Sequence, residues 1–196
     1  RVWIFLAKGA SLRSVDLSRQ VGAAITTPCG DLITIGCNEV PKPFGGNYWD
    51  EDDEQHRDVD QLGETNKPET NRIIFDFLRA LHKSGCVDVS PEELLKRPAV
   101  NREIRDSLIT EITEYGRVVH AEMNALMDAA RLGRSVKDAT MYVTTFPCHN
   151  CAKHIVAAGV KKIVYIEPYP KSRTLTLFDG SFTESEREQN RVVVKH

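Results

Sequence analysis

Two short patterns in the sequence combine residue types that bind metal ions and transfer protons. One is the His-Ala-Glu triplet at 120–122, and the other is the Pro-Cys-His-Asn-Cys segment at 147–151. One imidazole and two thiolates form a ligand set that zinc prefers, and three protein ligands leave a fourth position for water. Glu122 then stands beside that water as a general acid and base. The predicted zinc ligands are His120, Cys148 and Cys151.

The spacing of the two cysteines has other interpretations when it is taken alone. A Cys-x-x-Cys pair is also typical of half of a structural zinc site or of a redox-active dithiol. Cys148 and Cys151 share a face of a helix's first turn, and Pro147 suits the position just before that turn. With His120 and Glu122 upstream, the combined pattern favours one catalytic zinc ion over either alternative.

Both patterns lie where a predicted helix begins. The periodicity of apolar residues predicts helices over 118–132 and 148–158, and β-branched runs predict strands over 139–145 and 160–166. Because strands and helices alternate here, we expect parallel strands joined by right-handed crossovers. The strand between the two helices would bring their amino-terminal ends side by side. The positive amino-terminal ends of two helix dipoles directed at one point would stabilise thiolates there.

The first part of the chain predicts a helix followed by a hairpin. Apolar spacing favours a helix over 2–20, and strands are expected over 21–27 and 32–37, on either side of the Pro-Cys-Gly-Asp turn at 28–31. The run at 192–196 is β-like but has no evident partner after it. The chain as a whole predicts an α/β protein with a mixed sheet.

The composition of the segment from 47 to about 117 is typical of an insertion. Residues 50–60 are rich in acids, which is typical of a solvated loop, while 68–83 and a stretch opened by Ser90 and Pro91 predict helices. Such an insertion could close a pocket, form an interface or hold a nucleotide, and the sequence leaves these alternatives open.

Composition narrows the classes of partner. The chain has 196 residues, with 26 Lys and Arg against 28 Asp and Glu, for a formal net charge of −2. A protein that binds nucleic acid through its phosphates usually carries excess positive charge, so nucleic acid is disfavoured. No apolar run approaches the roughly 18 residues of a membrane span. Five cysteines, an odd number, without a signal peptide predict a reducing, cytoplasmic compartment.

The motifs resemble those of the cytidine deaminase superfamily, in particular its deoxycytidylate deaminases. The likeness rests on residues 120–122 and 147–153, and extends to segments 21–25, 36–41 and 142–145. The acidic stretch and segment 166–172 resemble the deaminase domain of bacterial phage-defence deoxycytidylate deaminases. In those proteins a P-loop domain precedes the deaminase domain. Because this chain begins with Arg1 rather than Met, we expect it to be one domain, 1–196, of a longer protein.

This resemblance implies a fold, a reaction and roles for individual residues. The fold is a three-layer α/β/α arrangement with a mixed sheet flanked by helices. The reaction is hydrolytic deamination of dCMP or dCTP, in which water attacks C4 of cytosine, Glu122 transfers the protons and ammonia leaves. The backbone of Ala121 and the carbonyl of Thr145 correspond to positions that hold the edge of the base. Asn38 corresponds to the asparagine that reaches the sugar hydroxyl, and otherwise it would be a turn residue.

Other substrate contacts follow from residue types near these motifs. Arg19 could meet a nucleotide phosphate, as could the polar cluster around Lys171 and Ser172, although such residues are also common in solvated loops. Tyr169 and Phe146 could wall the base, although an aromatic residue next to proline more often serves simple packing. The predicted substrate-binding residues are Arg19, Asn38, Ala121, Thr145, Phe146, Tyr169, Lys171 and Ser172.

Some alternatives concern further ligands and function. His82 and Cys86 are four residues apart on a predicted helix, but without a four-ligand pattern a second metal is not favoured. Residues 45–47 (Gly-Gly-Asn) are typical of a turn, and equally of a backbone that approaches the phosphate of a regulatory nucleotide. Family likeness implies a homo-oligomer. The competing functions are a deaminase that edits single-stranded nucleic acid and an inactive zinc-bearing regulatory module.

Overall fold

A mixed sheet of six strands organises the part of the chain that carries the predicted metal ligands. The structure, a computed structural model, describes residues 2–61, 63–188 and 190–196. The strands run in the order β2-β1-β3-β4-β6-β5. The strands are β1 (Gly22–Thr26), β2 (Leu32–Cys37), β3 (Thr140–Thr145), β4 (Lys162–Glu167), β5 (Phe182–Thr183) and β6 (Val192–Lys195).

Strand direction changes within this sheet. β1 is antiparallel to both β2 and β3, whereas β3, β4, β6 and β5 are mutually parallel where they pair. The amino-terminal hairpin and the parallel strands beyond it confirm the predicted mixed sheet. The helices are α1 (Val2–Ser11), α2 (Asn66–Lys83), α3 (Pro91–Lys96), α4 (Pro98–Arg105), α5 (Ala121–Arg131), α6 (His149–Ala157) and α7 (Thr174–Leu177).

Two glycines show that helices cover both faces of the sheet. A Cβ at Gly22 would collide with the backbone of α1, and a Cβ at Gly36 would collide with the backbone of α5. Gly36 pairs with Ala23, so these two residues face the same side of the sheet. Gly22 is the neighbour of Ala23 on β1, and successive strand residues point to opposite faces. Helices α1 and α5 therefore lie on opposite faces, and the predicted three-layer α/β/α fold is confirmed.

The chain divides into two compact units. The first combines Arg1–Gln61 with Val118–His196 and contains the sheet, and the second is Leu62–Arg117. The second unit falls within the predicted insertion at 47–117 and contains helices α2, α3 and α4, followed by a 3₁₀ helix at Leu108–Glu111. Helix α3 begins as predicted, because the Ser90 side chain accepts a hydrogen bond from the Glu93 amide.

Three predicted elements differ in extent or pairing. The helix expected over 2–20 ends at Ser11, because Ser14 donates its hydroxyl proton to the Asn38 carbonyl and Asp16 accepts from the Ser18 amide. Helix α5 starts at Ala121 rather than at 118. The run at 192–196 does have partners, because β6 pairs with both β4 and β5. In the described part of the chain, no helix is long and apolar enough to cross a bilayer.

Candidate metal centre

The amino-terminal ends of α5 and α6 meet at the carboxyl end of β3, as predicted. His120 is the N-cap residue of α5 and Cys148 is the N-cap residue of α6. His120 Nδ1 lies 3.3 Å from Cys148 Sγ and 3.4 Å from Cys151 Sγ. The three ligand atoms all lie within 4.8 Å of one another. The segments that are distant in sequence therefore form one site.

These distances fit a zinc ion. A tetrahedral site with Zn–N of about 2.0 Å and Zn–S of about 2.3 Å separates nitrogen from sulfur by about 3.5 Å. The observed separations are close to this value, and both cysteines are free thiols. His120, Cys148 and Cys151 are thus the ligands of a zinc ion, as the sequence predicted. Among residues 2–61, 63–188 and 190–196 they are the one group of three His, Cys, Asp or Glu side chains arranged for a metal ion.

The surroundings of the site shift the pKa values of the two thiols in opposite directions. Hydrogen bonds from Cys151 and His120, together with the positive charge of His120, lower the pKa of Cys148 to about 4. Cys151, which donates to Cys148 and is only 1% exposed, has its pKa raised well above the ordinary value. Zinc binds cysteine as thiolate and histidine as neutral imidazole, so a metal ion binding at the site displaces the proton of Cys151 and the extra proton of His120.

Glu122 is a buried carboxyl group beside the ligands. It is only 4% exposed, and its side chain lies in hydrogen-bonding contact with Cys151. Burial, followed by the charge of Cys148, raises the pKa of Glu122 to about 7. A carboxyl group in this environment can accept a proton and return it near neutral pH, which is what general acid–base catalysis requires.

Asn38 and Ala121, both predicted substrate contacts, are bonded to each other. The Asn38 amide oxygen accepts the Ala121 N–H at 2.8 Å, and its amide nitrogen donates to the Arg19 carbonyl at 2.9 Å and to the Asp16 carboxylate at 3.3 Å. Asn38 is 7% exposed. It therefore fixes the first turn of α5, which carries Glu122, and its amide oxygen retains one further lone pair.

Arg19 and Tyr169 also lie together. The Arg19 guanidinium stands over the Tyr169 ring, 5.3 Å from its centroid, and Arg19 is solvent-exposed. The main chain of Arg19 is held by Asn38, which in turn contacts α5. Arg19 and Tyr169 are thus linked, through hydrogen bonds of Asn38, to the first turn of α5 beside the metal ligands.

The remaining predicted contacts have different surroundings. Thr145 pairs with Glu167 in the β3–β4 ladder, and Phe146 is 9% exposed with its ring edge-on to Tyr165 at a centroid distance of 5.0 Å. Lys171 is exposed. The Ser172 hydroxyl donates to the Pro147 carbonyl at 2.7 Å rather than extending into solvent. Phe146 thus packs in the hydrophobic core against Tyr165 of β4, and Ser172 contacts the segment that carries Cys148.

The other sequence candidates make contacts of their own. His82 Nδ1 contacts the Val87 carbonyl at 2.9 Å, and Cys86 is exposed. The turn at 45–47 has positive φ angles at both glycines, and its Asn47 accepts a hydrogen bond from Asn124 of α5. Neither observation adds a ligand to the zinc site.

Two residues near the metal centre were missed by the sequence analysis. Cys148 is the main cause that raises the pKa of His120, and the negative charges of Glu122 and then Asp16 add to it. Asp16 also receives a hydrogen bond from Asn38. Thr174 is completely buried and donates its hydroxyl proton to the Pro147 carbonyl. The available signals were the Ser-Val-Asp-Leu-Ser run at 14–18 and the hydroxyl residues after the tyrosine at 169.

A mixed sheet with helices on both faces and a His-Cys-Cys zinc site at two helix ends defines a metal-dependent α/β protein of cytidine deaminase-like fold. Residues 3–167 match the zinc-binding region of cytidine and deoxycytidylate deaminases. The chain belongs to this family. The family assignment confirms the superfamily inferred from the motifs, and the likeness to phage-defence members stays a prediction.

Individual relatives support the deoxycytidylate branch. The chain is 44% identical to mouse deoxycytidylate deaminase over 156 residues, which cover 79% of this chain and 56% of the relative. It is 54% identical to the deoxycytidylate deaminase of Enterobacteria phage T2 over 55 residues, 28% of this chain and 29% of the relative. These matches thus span between about a third and about half of the relatives' own length.

A solved structure has the same fold. The dCMP deaminase from the cyanophage S-TIM5, in complex with dCMP and dUMP, superposes with a TM-score of 0.54 at 19% identity, over 100% of this chain and 94% of that chain. At this level of identity the superposition shows a shared fold.

Proposed function

We propose that this chain hydrolytically deaminates deoxycytidine nucleotides, dCMP or dCTP, to the corresponding deoxyuridine nucleotides. The observation that carries the proposal is the buried Glu122 carboxyl group beside the ligand set of His120, Cys148 and Cys151. When bound, zinc supplies a Lewis acid that makes water nucleophilic near neutral pH. Relatives named deoxycytidylate deaminase support the choice of substrate.

In the proposed reaction Glu122 performs the proton transfers. It accepts a proton from the attacking water and passes it to N3 of cytosine. It then accepts the second proton, from the hydroxyl group formed at C4, and delivers it to the amino group at C4. The C–O bond forms at C4, the C–N bond breaks, and ammonia leaves while the carbonyl of uracil forms. The position of Glu122 suits both directions of transfer, because its carboxyl group is buried beside the ligand set and burial favours uptake of a proton.

The substrate would bind between the metal centre and the network around Asn38. We assign the base edge to the carbonyl of Thr145 and the sugar hydroxyl to Asn38. The backbone of Ala121 fits the base edge less well, because its N–H already donates to the Asn38 amide oxygen at 2.8 Å. Tyr169 is partly buried and packs against the core near this region, which supports its role as a wall for the base. The burial of Phe146 favours packing for that ring.

The phosphate is assigned to the exposed side of the site. Arg19 supplies a cation beside Tyr169, and Lys171 is the second proposed contact. Ser172 fits this role less well, since its hydroxyl donates to Pro147. The proposal therefore places phosphate recognition mainly on Arg19 and Lys171.

The direct test measures ammonia release and zinc content with four substrates: dCMP, dCTP, cytidine and a short cytosine-containing single strand. We expect turnover of dCMP or dCTP, and their ratio will define the phosphate pocket. Turnover of the strand alone would support the nucleic-acid-editing alternative, which the net charge of −2 disfavours. Stoichiometric zinc without any turnover would favour the inactive regulatory module.

Replacing Arg19 by alanine tests the phosphate assignment. A hydrogen bond to a charged group contributes about 1.5–3 kcal/mol, and solvent exposure places Arg19 at the lower end, so we expect KM for dCMP to rise about tenfold. Activity on cytidine, which has no phosphate, should change little. Arg191→Ala, which removes a surface arginine paired with Glu188, is the matched control. Equal losses on dCMP and cytidine would contradict the assignment.

The wider biological role stays a prediction from the resemblance. We propose that the reaction depletes nucleotides during phage infection, with an amino-terminal P-loop domain, a homo-oligomeric assembly and a regulatory nucleotide as expected partners. The acidic stretch at 50–60 and segment 166–172 support this assignment. All five cysteines are free thiols, which is compatible with the predicted cytoplasmic location.

A further inference from the structure

The carbonyl group of Pro147 is held by two hydroxyl groups. Ser172 Oγ lies 2.7 Å and Thr174 Oγ1 lies 3.0 Å from the Pro147 carbonyl oxygen. The two hydroxyl oxygens are also 3.0 Å apart, and the Thr174 amide donates to Ser172 Oγ at 3.3 Å. We call Ser172 and Thr174 the hydroxyl pair. It brings the loop after β4 against the residue that directly precedes a zinc ligand.

This carbonyl needs donors from outside its own helix. Pro147 precedes the N-cap residue of α6, so its carbonyl lies outside the hydrogen-bond pattern of that helix. Pro147 is less than 2% exposed, so water has little access to its carbonyl group as a hydrogen-bond donor. A buried carbonyl group without a hydrogen-bond donor destabilises the folded protein. The hydroxyl pair supplies donors that residues close to Pro147 in sequence do not.

The same contact constrains the metal site. The Pro147 carbonyl belongs to the peptide group that joins Pro147 to Cys148, and this peptide sets the position from which Cys148 Sγ projects. Cys148 is only partly buried, whereas Thr174 is completely buried. The buried Thr174 therefore holds the peptide group that precedes a partly exposed ligand.

We propose that Ser172 and Thr174 are positioning residues for zinc, which act by fixing the peptide group on which Cys148 stands. This inference rests on the family's zinc site and not on the proposed substrate. It also gives Ser172 a role other than the phosphate contact predicted from the sequence. Loss of a group that bonds a metal ligand directly typically weakens metal affinity about 10- to 100-fold, and we expect the lower end of this range because the hydroxyl pair acts through the backbone.

The test compares zinc release from purified, zinc-loaded variants to a chromophoric chelator, with no nucleotide present. Thr174→Val removes the hydroxyl group with little change in volume, and we expect zinc release about tenfold faster than from the unmodified chain. Thr174→Ser retains a hydroxyl group and should restore slow release. Because no substrate is used, failure of the proposed deamination would leave this result unaffected.

Thr34→Val is the matched control. Thr34 is a buried threonine that donates its hydroxyl proton to the Ala125 carbonyl at 2.9 Å, so its replacement removes the same kind of bond without contacting Pro147. We expect Thr34→Val to lower the melting temperature while zinc release stays unchanged. The proposal would be overturned if Thr174→Val released zinc at the same rate as Thr34→Val.

A second variant and a spectroscopic signal cover the case in which Thr174→Val does not fold. Ser172→Ala alters a half-buried side chain and should also accelerate zinc release, and release at the control rate would overturn the proposal. Cobalt substitution reports on the thiolate directly. We expect the cysteine-to-cobalt absorption band to shift or weaken in Ser172→Ala and to be unchanged in Thr34→Val.

Discussion

Replacing Glu122 by alanine should lower turnover of the preferred deoxycytidine nucleotide by about 10²–10⁴-fold, the usual contribution of a general acid–base group, while zinc remains bound. The carboxyl group is 4% exposed and lies against Cys151, and it is the group to which we assign the proton transfers. It is not among the three ligands. The loss should appear in kcat, with zinc content measured on the same sample.

Two further variants separate proton transfer from packing. Glu122→Gln preserves the shape of the side chain but cannot carry the proton, and it should lose as much activity as Glu122→Ala. Asp128→Asn removes a carboxylate that pairs with Arg131 elsewhere on α5, and its activity should stay within about twofold, as expected for a surface ion pair. Near-normal turnover by Glu122→Gln with zinc bound would refute the proposed proton transfers.

The metal ligands could be predicted from the sequence because their arrangement is local. Cys148 and Cys151 share the first turn of one helix, and His120 lies at the start of another. Helix geometry then limits where the side chains project. Only the approach of α5 to α6 required the fold, and the strand between them, β3, made that approach predictable.

The surroundings of the ligands could not be predicted in the same way. Asn38 bonds to α5 across 83 residues of sequence, and Thr174 bonds to Pro147 across 27. Such contacts depend on how the elements pack, and spacing along the chain carries no direct signal of them. The same limit explains β6, whose partners β4 and β5 are set by the crossover connections.

The end of α1 shows how side chains compete with backbone preferences. Apolar spacing favoured a helix as far as residue 20, but Ser14 and Asp16 use their side chains to bind nearby backbone groups. The irregular segment that results places Asp16 and Arg19 within reach of Asn38. A feature that reduced the accuracy of the helix prediction therefore helps to build the candidate site.

Replacing Cys148 by alanine should abolish stoichiometric zinc binding and lower thermal stability. Cys148 supplies the more acidic thiol, with a pKa lowered to about 4, so its loss removes the ligand that binds metal with the least competition from protons. A ligand present at a thousandfold excess over its Kd stabilises a protein by about 4 kcal/mol, equivalent to about 8–16 °C for a domain of this size. Metal analysis and thermal unfolding of the purified variant measure both effects.

Cys37→Ala is the control that separates zinc loss from the loss of a buried thiol. Cys37 is 1% exposed, like Cys151, but burial raises the pKa of its thiol to about 11, and Asn47 donates a hydrogen bond to it. It is therefore a neutral core residue, and its replacement should cost stability while zinc stays bound. Addition of a chelator should destabilise Cys37→Ala and leave Cys148→Ala unchanged. A Cys148→Ala chain that retains one zinc per protein would show that the thiol of Cys148 is not a ligand, because two remaining protein ligands rarely hold zinc in a stable site.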